Sequence, residues 1–345
     1  MKVVILSASV LLMVATGAQA ADNGLTISGF VDANIERISN GATTKVRQSS
    51  GGLNTSRVIF SGNEDLGGGV HAIFTHEMKF AVDTGAGPSP RVSYVGLTSG
   101  LGELTLGRQN TPSFWIGGFP DPTFSADYSM VSNMQFFYAA FRVDNSVSYI
   151  TPSINGFKGR FMVTAGAEDG TRNGRYTSVG IEYRNGPLYA GAASDLMYTK
   201  QLPVTGKGTS SSRDNYFSIL YSVGGFEPSI IYHTYNGYYA YPPFVDFQSK
   251  GWDVQLGARY QINGNSRMYV SYVHKHDDNN VKLSNANGFV VGYVYDFSKR
   301  TSLYGTYARI QHAKDTPIRY PVTFSDNVAP NGNPSGVQIG IRHRF

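Results

Sequence analysis

The chain ends on GVQIGIRHRF (residues 336–345), a stretch in which two kinds of side chain alternate. One set is Val, Ile, Ile, His and the final Phe, and the other is Gly, Gln, Gly, Arg and Arg. Successive side chains of a β-strand point to opposite faces, so the pattern predicts a strand with one apolar face. Terminal segments of soluble proteins usually fray, and an alternation that continues to the last residue therefore favours a closed membrane β-barrel.

The first twenty residues have the features of a secretory signal peptide. Lys2 precedes an apolar run over residues 3–14, and Ala18-Gln19-Ala20 has the small-x-small pattern of a cleavage site. We therefore expect cleavage after Ala20 and a single barrel domain over residues 21–345. The apolar run is too short for a membrane-spanning helix, and no other stretch approaches the required twenty apolar residues or so.

The composition agrees with an exported barrel. The chain has no cysteine, so an exported form has no disulfides to stabilise it. Its 23 Tyr, 20 Phe and 40 Gly suit aromatic girdles and tight turns. Residues 21–345 carry 28 basic and 24 acidic side chains, and the net charge of 28 − 24 = +4 gives no reason to expect a nucleic-acid partner. We expect no cofactor and no metal.

The same alternation recurs along the chain in sixteen segments. They start near residues 25, 55, 70, 91, 103, 142, 157, 176, 187, 214, 226, 250, 266, 288, 301 and 336. An even number places both chain ends on the periplasmic side. Short connectors rich in Asn, Asp and Gly predict hairpin turns at 64–69, 185–187 and 263–265. Longer polar connectors predict extracellular loops at 39–52, 197–213, 237–249 and 311–335.

A closed sheet is the physical reason for this fold. In lipid each unpaired backbone N–H or C=O costs several kcal/mol, and only helices or closed sheets leave none unpaired. A ring of sixteen strands also encloses more space than side chains can fill. The sequence therefore predicts an all-β, sixteen-stranded antiparallel transmembrane barrel with a water-filled lumen.

The connector 109–141 differs from the others because it is rich in aromatic and apolar residues. They are Phe114, Trp115, Ile116, Phe119, Phe124, Tyr128, Met130, Met134, Phe136, Phe137 and Tyr138. An exposed loop of this composition would form a large apolar patch. We therefore predict that it folds into the barrel and presents Asp121 and Asp127 to the lumen. An exposed loop that contacts a neighbouring subunit is the alternative, because interfaces also favour aromatic residues.

Several basic residues lie on the polar side of the predicted strands. An arginine facing lipid near the bilayer midplane costs about 2–4 kcal/mol, so the lumen is the favoured location. The predicted pore-lining arginines are Arg57, Arg91 and Arg142, with Lys79, Lys158 and Arg160 as further candidates. A basic wall facing the carboxylates of an inserted loop favours anions in a narrow pore. Any one of these arginines could instead bind a loop carboxylate and hold the loop in place.

Four motifs follow one another along the chain. They are SR (56–57) with NEDLGGGVHA (63–72), YVGL (94–97) with LTLGRQ (104–109), NSVSYITP (145–152) and GIRHRF (340–345). In this order they resemble the trimeric general porins of Gram-negative bacteria, especially the β-proteobacterial and neisserial branch. The resemblance covers nearly the whole chain.

The resemblance implies a homotrimer in which each subunit has its own channel, narrowed by the third extracellular loop. In anion-selective members, arginines matching Arg57, Arg91 and Arg142 line the constriction, and a glutamate matching Glu77 lies nearby. The terminal Phe of related proteins is recognised by the barrel assembly machinery, which fits Phe345. The segment 109–141 itself lacks the sequence motif that is common in the third loop of this branch.

We therefore expect an outer-membrane channel for passive diffusion of small anionic or neutral solutes, in contact with outer-membrane lipid and lipopolysaccharide. A substrate-specific channel or an adhesin on the same barrel is the first alternative, since Tyr235, Tyr238, Tyr239 and Tyr241 could stack on sugars. A barrel enzyme is the second alternative. It is less favoured because the chain has no Gly-x-Ser-x-Gly motif.

Overall fold

The computed structural model describes residues 24–124, 126–134, 136, 141–166, 170–200, 209–241, 244–278, 284–324 and 326–345. The predicted signal peptide lies outside the described residues. The strands of this part are β1 Thr26–Ser39, β2 Thr44–Ser50, β3 Arg57–Asp65, β4 His71–Lys79, β5 Ser89–Ser99, β6 Gly102–Asn110, β7 Arg142–Ile150, β8 Phe157–Thr164, β9 Tyr176–Asn185, β10 Leu188–Lys200, β11 Thr209–Tyr221, β12 Phe226–Tyr241, β13 Phe244–Asn263, β14 Ser266–Asp277, β15 Ala286–Asp296, β16 Thr301–His312 and β17 Ser335–Arg344. Two short helices, α1 Pro112–Gly118 and α2 Met130–Asn133, lie between β6 and β7.

The strands close into an antiparallel barrel of sixteen positions, as predicted. Consecutive strands pair from β3 to β17, and β17 pairs with β1 to close the ring. The elements β2 and β3 together occupy one position in the barrel, because β2 pairs with the C-terminal half of β1 and β3 pairs with its N-terminal part. The terminal strand thus has hydrogen-bonded neighbours on both edges, β16 and β1, and no edge stays open.

The two faces of the wall differ as the alternation predicts. On β1, Asp32 and Glu36 are buried, whereas Ile35 between them is 65% exposed. On β17, Gln338 is 1% exposed and Ile339 is 69% exposed. We call the face with the buried polar side chains the inner face and the face with the exposed apolar side chains the outer face. The outer face is suited to lipid and the inner face to polar contacts.

Three predicted loops are wrong in extent. The range 39–52 contains strand β2, and most of 237–249 belongs to β12 and β13, which end and begin at Tyr241 and Phe244. Within 197–213, β10 continues to Lys200 and β11 begins at Thr209. The sequence prediction ended these strands where the residues became polar. The strands continue because the backbone hydrogen bonds of a hairpin do not depend on an apolar outer face.

The turn after β3 requires glycine at three successive positions. Gly67, Gly68 and Gly69 have φ angles of 84°, 62° and 76°, in the left-handed region that glycine occupies without strain. Leu66 N–H donates to the carbonyl of Val70 across this turn (2.9 Å). The connection can therefore be only a few residues long, as the sequence predicts.

The segment between β6 and β7 folds into a compact unit with the two helices. Thr111 caps α1, since its hydroxyl accepts from Phe114 N–H (3.2 Å), and Ser129 caps α2 by accepting from Ser132 N–H (3.1 Å). Among the described residues, no helix is long and apolar enough to cross a bilayer.

The apolar core lies between this segment and the inner face of the wall. Its fully buried members from the segment are Ile116, Tyr128, Met130, Met134 and Phe136. Glycines on the inner face make room for them. A Cβ on Gly180 would lie 2.5 Å from Ile116, one on Gly288 would lie 2.4 Å from Met134, and one on Gly336 would lie 2.3 Å from Tyr128. The inner-face glycines therefore decide where the segment can pack.

Candidate functional site

Two arginines share one carboxylate on the inner face of β3, β4 and β5. Arg57 Nη1 lies 3.2 Å from Glu77 Oε1, and Arg91 Nε donates to the same oxygen. The three side chains are between 12% and 14% exposed. The Arg57 guanidinium also lies 4.9 Å from the centre of the Phe30 ring. Glu77 thus holds two guanidinium groups side by side and neutralises only one of their two charges.

Arg91 reaches Glu77 because of an irregularity in β5. Glu77 pairs with Val92, but the next residue of β4, Met78, pairs with Pro90, so Arg91 is the extra residue of a bulge. Strict alternation would place Arg91 on the same face as Val95, which is 59% exposed. Bulges re-aim side chains in this way. The sequence analysis places Arg91 on the polar side of its strand, but residues of that parity, such as Ser93 and Val95, are on the outer face. The bulge is what turns Arg91 toward Glu77.

Arg142, the first residue of β7, lies close to the same group. Its electrostatic neighbours include Arg91, Glu77 and Arg57. Its guanidinium carbon lies 5.8 Å from the centre of the Phe114 ring in α1, within the range of a cation–π contact. Among the described residues, its Nε is buried without a hydrogen-bond partner. The group Arg57, Arg91, Arg142 and Glu77, which we call the arginine wall, has three positive charges and one negative charge.

Of the further pore candidates, Arg160 and Lys158 lie on β8, whereas Lys79 lies directly beside Arg57 of the arginine wall. Arg160 on β8 is paired with Glu182 of β9, and its guanidinium is 6.0 Å from the Trp115 ring centre. Lys158 is opposite Glu182 in the register of the two strands. Lys79 is an exposed residue at the end of β4, opposite Arg57. Arg160 is thus another basic residue in contact with the segment between β6 and β7.

Asp121 is not where the sequence analysis places it. The residue is 1% exposed, and its carboxylate accepts from the Thr123 hydroxyl (2.8 and 2.9 Å), Thr123 N–H (3.0 Å) and the Ser129 hydroxyl (2.8 Å). Burial raises the pKa of Asp121 above its ordinary value, although these donors partly oppose the shift. The carboxylate is turned into the segment itself, where Thr123 and Ser129 supply its hydrogen-bond donors.

Asp127 is partly buried near other carboxylates. Its N–H donates to the Gly52 carbonyl (3.0 Å). Burial, followed by the negative charge of Glu36, raises the pKa of Asp127 to about 8, while Arg47 acts in the opposite direction. Glu36 in turn accepts from Arg47 Nε (2.5 Å) and from the Tyr128 hydroxyl (2.7 Å). At neutral pH Asp127 is therefore largely protonated and contributes little negative charge.

Sequence reasoning missed a chain of fully buried ionisable side chains on the inner face of β11–β14. His233 lies between Asp214 (Nε2–Oδ1, 3.1 Å) and Asp253 (Nδ1–Oδ2, 2.8 Å), and Lys275 Nζ donates to both oxygens of Asp253 (3.0 and 3.1 Å). All four side chains have 0% exposure. We call these four residues the buried charge network. Their shared inner parity is readable from the sequence, but their pairing depends on the strand register.

The buried charge network contacts the segment between β6 and β7. The ring of Phe136 stacks on His233 at 5.6 Å, and Tyr216 donates its hydroxyl proton to the Phe136 carbonyl (2.8 Å). Nearby, Ser113 donates to Asp195 Oδ2 (2.6 Å) and Ser218 donates to a carbonyl of α1 (2.7 Å). These contacts position the segment against β10–β12.

Another arginine contacts the segment just after α1. Arg259 on β13 donates from Nη2 to the carbonyl of Phe119 (3.2 Å) and also to the carbonyl of Asp121. Its Nη1 lies 3.7 Å from Glu227 Oε2. The sequence analysis did not select Arg259. An arginine that donates to backbone carbonyls has no charged partner that the sequence could reveal.

Phe345 closes the seam of the barrel with its backbone. Gly29 N–H donates to the Phe345 carbonyl (3.1 Å), and Phe345 N–H donates to the Gly29 carbonyl (3.3 Å). The residue is 39% exposed. Phe345 is therefore held by the first strand.

The arrangement can bind anions weakly. The arginine wall offers guanidinium groups that pair readily with carboxylate or phosphate. Within the described residues, no group of three or more His, Asp or Glu side chains could hold a metal ion. Excess positive charge beside a water-filled space attracts anions and repels cations.

Comparisons with known proteins agree with this description. A family profile described as Gram-negative porin matches residues 8–315. The chain is 29% identical to outer membrane porin protein 32 of Delftia acidovorans over 97% of both chains. It is 28% identical to major outer membrane protein P.IB of Neisseria meningitidis serogroup A, over 84% of this chain and 83% of the relative. Among solved structures, the anion-selective porin from Comamonas acidovorans has a TM-score of 0.83 and 26% identity, and the match covers 94% of this chain and 100% of that one.

Proposed function

Because this chain belongs to the family of Gram-negative porins and folds as an outer-membrane β-barrel, we propose that it conducts small hydrophilic solutes and ions by passive diffusion, with a preference for anions. The observation that carries the preference is the arginine wall, in which Glu77 leaves two of three arginine charges uncompensated. The similarity to an anion-selective porin supports the same conclusion. No catalytic activity is part of this proposal.

We further propose that the segment 109–141 narrows the lumen beside the arginine wall. Its helix α1 contacts Arg142 through Phe114 and Arg160 through Trp115. Its buried apolar side chains fill the space against the rest of the inner face, and the charged ends of Arg57 and Arg91 border the aqueous path. Solutes would then pass beside Arg57 and Arg91.

The size of the anion preference follows from the electrostatic attraction between the uncompensated arginine charges and the ion. A unit charge at about 4 Å from an ion contributes about 1 kcal/mol in water, and charges beyond about 10 Å are largely screened at 0.1 M salt. Two uncompensated charges therefore favour an anion by only a few times RT. Such an interaction is weak enough for release, as a conducting pore requires.

The remaining expectations about maturation and partners are part of the same proposal. Residues 1–20 are removed as a signal peptide, and residues 21–345 assemble as a homotrimer, which is typical of the family. The barrel assembly machinery recognises Phe345. The outer face contacts lipid and lipopolysaccharide.

Planar-bilayer recording and liposome swelling test the proposed channel. We expect stepwise conductance increments in bilayers. In swelling assays, uncharged solutes of graded size should enter at rates that fall smoothly with size. Saturation by one solute would instead indicate a substrate-specific channel, and absence of both conductance and swelling would refute the pore.

A further inference from the structure

The outer face of β10–β14 changes from apolar to polar toward the barrel end with the long connectors, which is the extracellular end in outer-membrane barrels. The strand registers align outward side chains into transverse rows. A lower row contains Ile219, Ile230 and Leu256. A second row, six residues closer to the extracellular end of each strand, contains Arg213, Asn236 and Lys250. The lower row suits hydrocarbon, since Ile219 and Leu256 are 49% and 52% exposed, and the upper row suits headgroups.

The row directly below the basic one is polar and internally hydrogen-bonded. Ser194 donates to Asn215 Oδ1 (2.8 Å), and Asn215 Nδ2 donates to Thr234 Oγ1 (3.1 Å). Arg213 Nη1 donates to Ser194 Oγ (3.2 Å). Trp252 follows in the same row, opposite Thr234. Tryptophan on an outer face is typical of the membrane–water interface, so the basic row lies at headgroup level.

A cavity of about 610 Å³ opens at this boundary. Arg213 and Lys250 line its upper part, and Tyr232 and Trp252 line its lower part. Asp278 also borders it, but its Oδ1 lies 3.4 Å from His276 Nε2. The cavity thus has two cations above an aromatic floor. This is the polarity of a site for an amphiphile with an anionic headgroup.

We propose that this cavity binds a phosphate group of lipopolysaccharide from the outer leaflet. Arg213 and Lys250 pair with the phosphate, and the acyl chain below it lies along Tyr232 and Phe217, which is 52% exposed. The inference rests on the proposed contact with lipopolysaccharide and names its place. A second protein subunit is the alternative occupant, and the test below separates the two.

The test measures binding of a defined lipid to the purified barrel by native mass spectrometry. The probes are lipid A with two phosphates and the same lipid with both phosphates removed. The double variant Arg213→Gln/Lys250→Gln is compared with wild type. Arg309→Gln is the matched control, since Arg309 is an exposed outer-face residue of β16 and does not line the cavity.

We expect wild type to bind the phosphorylated lipid at least tenfold more tightly than the dephosphorylated one. The double variant should lose this tenfold difference and the control should keep it. Equal affinity of wild type for the two lipids overturns the proposal, even if the double variant does not fold. If the double variant loses subunit assembly but binds the phosphorylated lipid as wild type does, the proposal is also overturned and the surface is assigned to a protein contact. Bilayer conductance measured on the same samples tests the pore separately. Arg213 and Lys250 lie on the outer face, so their replacement should leave conductance unchanged.

Discussion

Replacing Lys275 by Met should destabilise the barrel strongly, because it removes one member of the buried charge network. Lys275 Nζ lies 3.0 and 3.1 Å from the two oxygens of Asp253 and 4.3 Å from the centre of the Tyr235 ring, and the lysine is fully buried. Breaking a buried ion pair by removing one partner costs about 3–5 kcal/mol. Asp253 keeps its contact with His233 (2.8 Å), so we expect a loss near the lower limit, about 3 kcal/mol.

A double-mutant cycle isolates the contribution of the pair. In Asp253→Asn/Lys275→Met both charges are gone, and replacing a buried pair by groups of similar volume is often nearly neutral. We therefore expect the double variant to be more stable than the sum of the single losses predicts, by about 2 kcal/mol. Lys299→Met is the matched control, since Lys299 lies in the exposed turn between β15 and β16, and should change stability by less than about 0.5 kcal/mol.

Urea-dependent unfolding in lipid vesicles, followed by tryptophan fluorescence, measures these free energies of unfolding. Conductance of the same variants shows whether the network also positions the segment 109–141, through the contact of Phe136 with His233. We expect larger and noisier conductance in Lys275→Met. Additive single losses within about 0.5 kcal/mol, or wild-type stability of Lys275→Met, would show that the pair is not coupled.

Three further variants test the proposed pore and its segment. Glu77→Gln should raise the anion-to-cation permeability ratio and Arg142→Gln should lower it, each by at least about fivefold, since one charge at about 4 Å changes the energy of each ion by about 1 kcal/mol in water, with opposite signs for anion and cation; shifts in the same direction in reversal potential would contradict this. Asp127→Asn should gain stability relative to wild type as pH rises from about 4 to 8, because the unfolded carboxyl ionises in that window while the folded one, with its pKa raised to about 8, does not; a pH-independent difference in urea midpoint would count against it. Arg259→Met should make the segment 109–141 several-fold more sensitive to protease, since two carbonyls lose their donor; an unchanged cleavage rate would exclude this role.

Much of the fold could be predicted because a membrane permits few solutions. The alternation in residues 336–345 implies a strand that needs neighbours on both edges, and the structure provides β16 and β1. Strand ends were harder to predict. The range 39–52 is polar, yet β2 occupies Thr44–Ser50, since strands that project beyond the apolar zone lose the pattern that marks them.

The site was partly predictable for similar reasons. Arg57 follows from the parity of β3, but Arg91 contacts Glu77 only because of a bulge. The burial of Asp121 depends on hydroxyl donors within its own segment, which composition does not distinguish from a lumenal position. Pairs such as Asp253 with Lys275 depend on registers between strands, which side-chain alternation does not determine.

The reversal potential of the wild-type channel in a tenfold gradient of potassium chloride tests the arginine wall most directly. Two of its three arginine charges are uncompensated by Glu77, so chloride should cross more readily than potassium. The dilute side should then become negative at zero current. A dilute side that becomes positive would mean that cations pass preferentially and would contradict the role proposed for Arg57, Arg91 and Arg142.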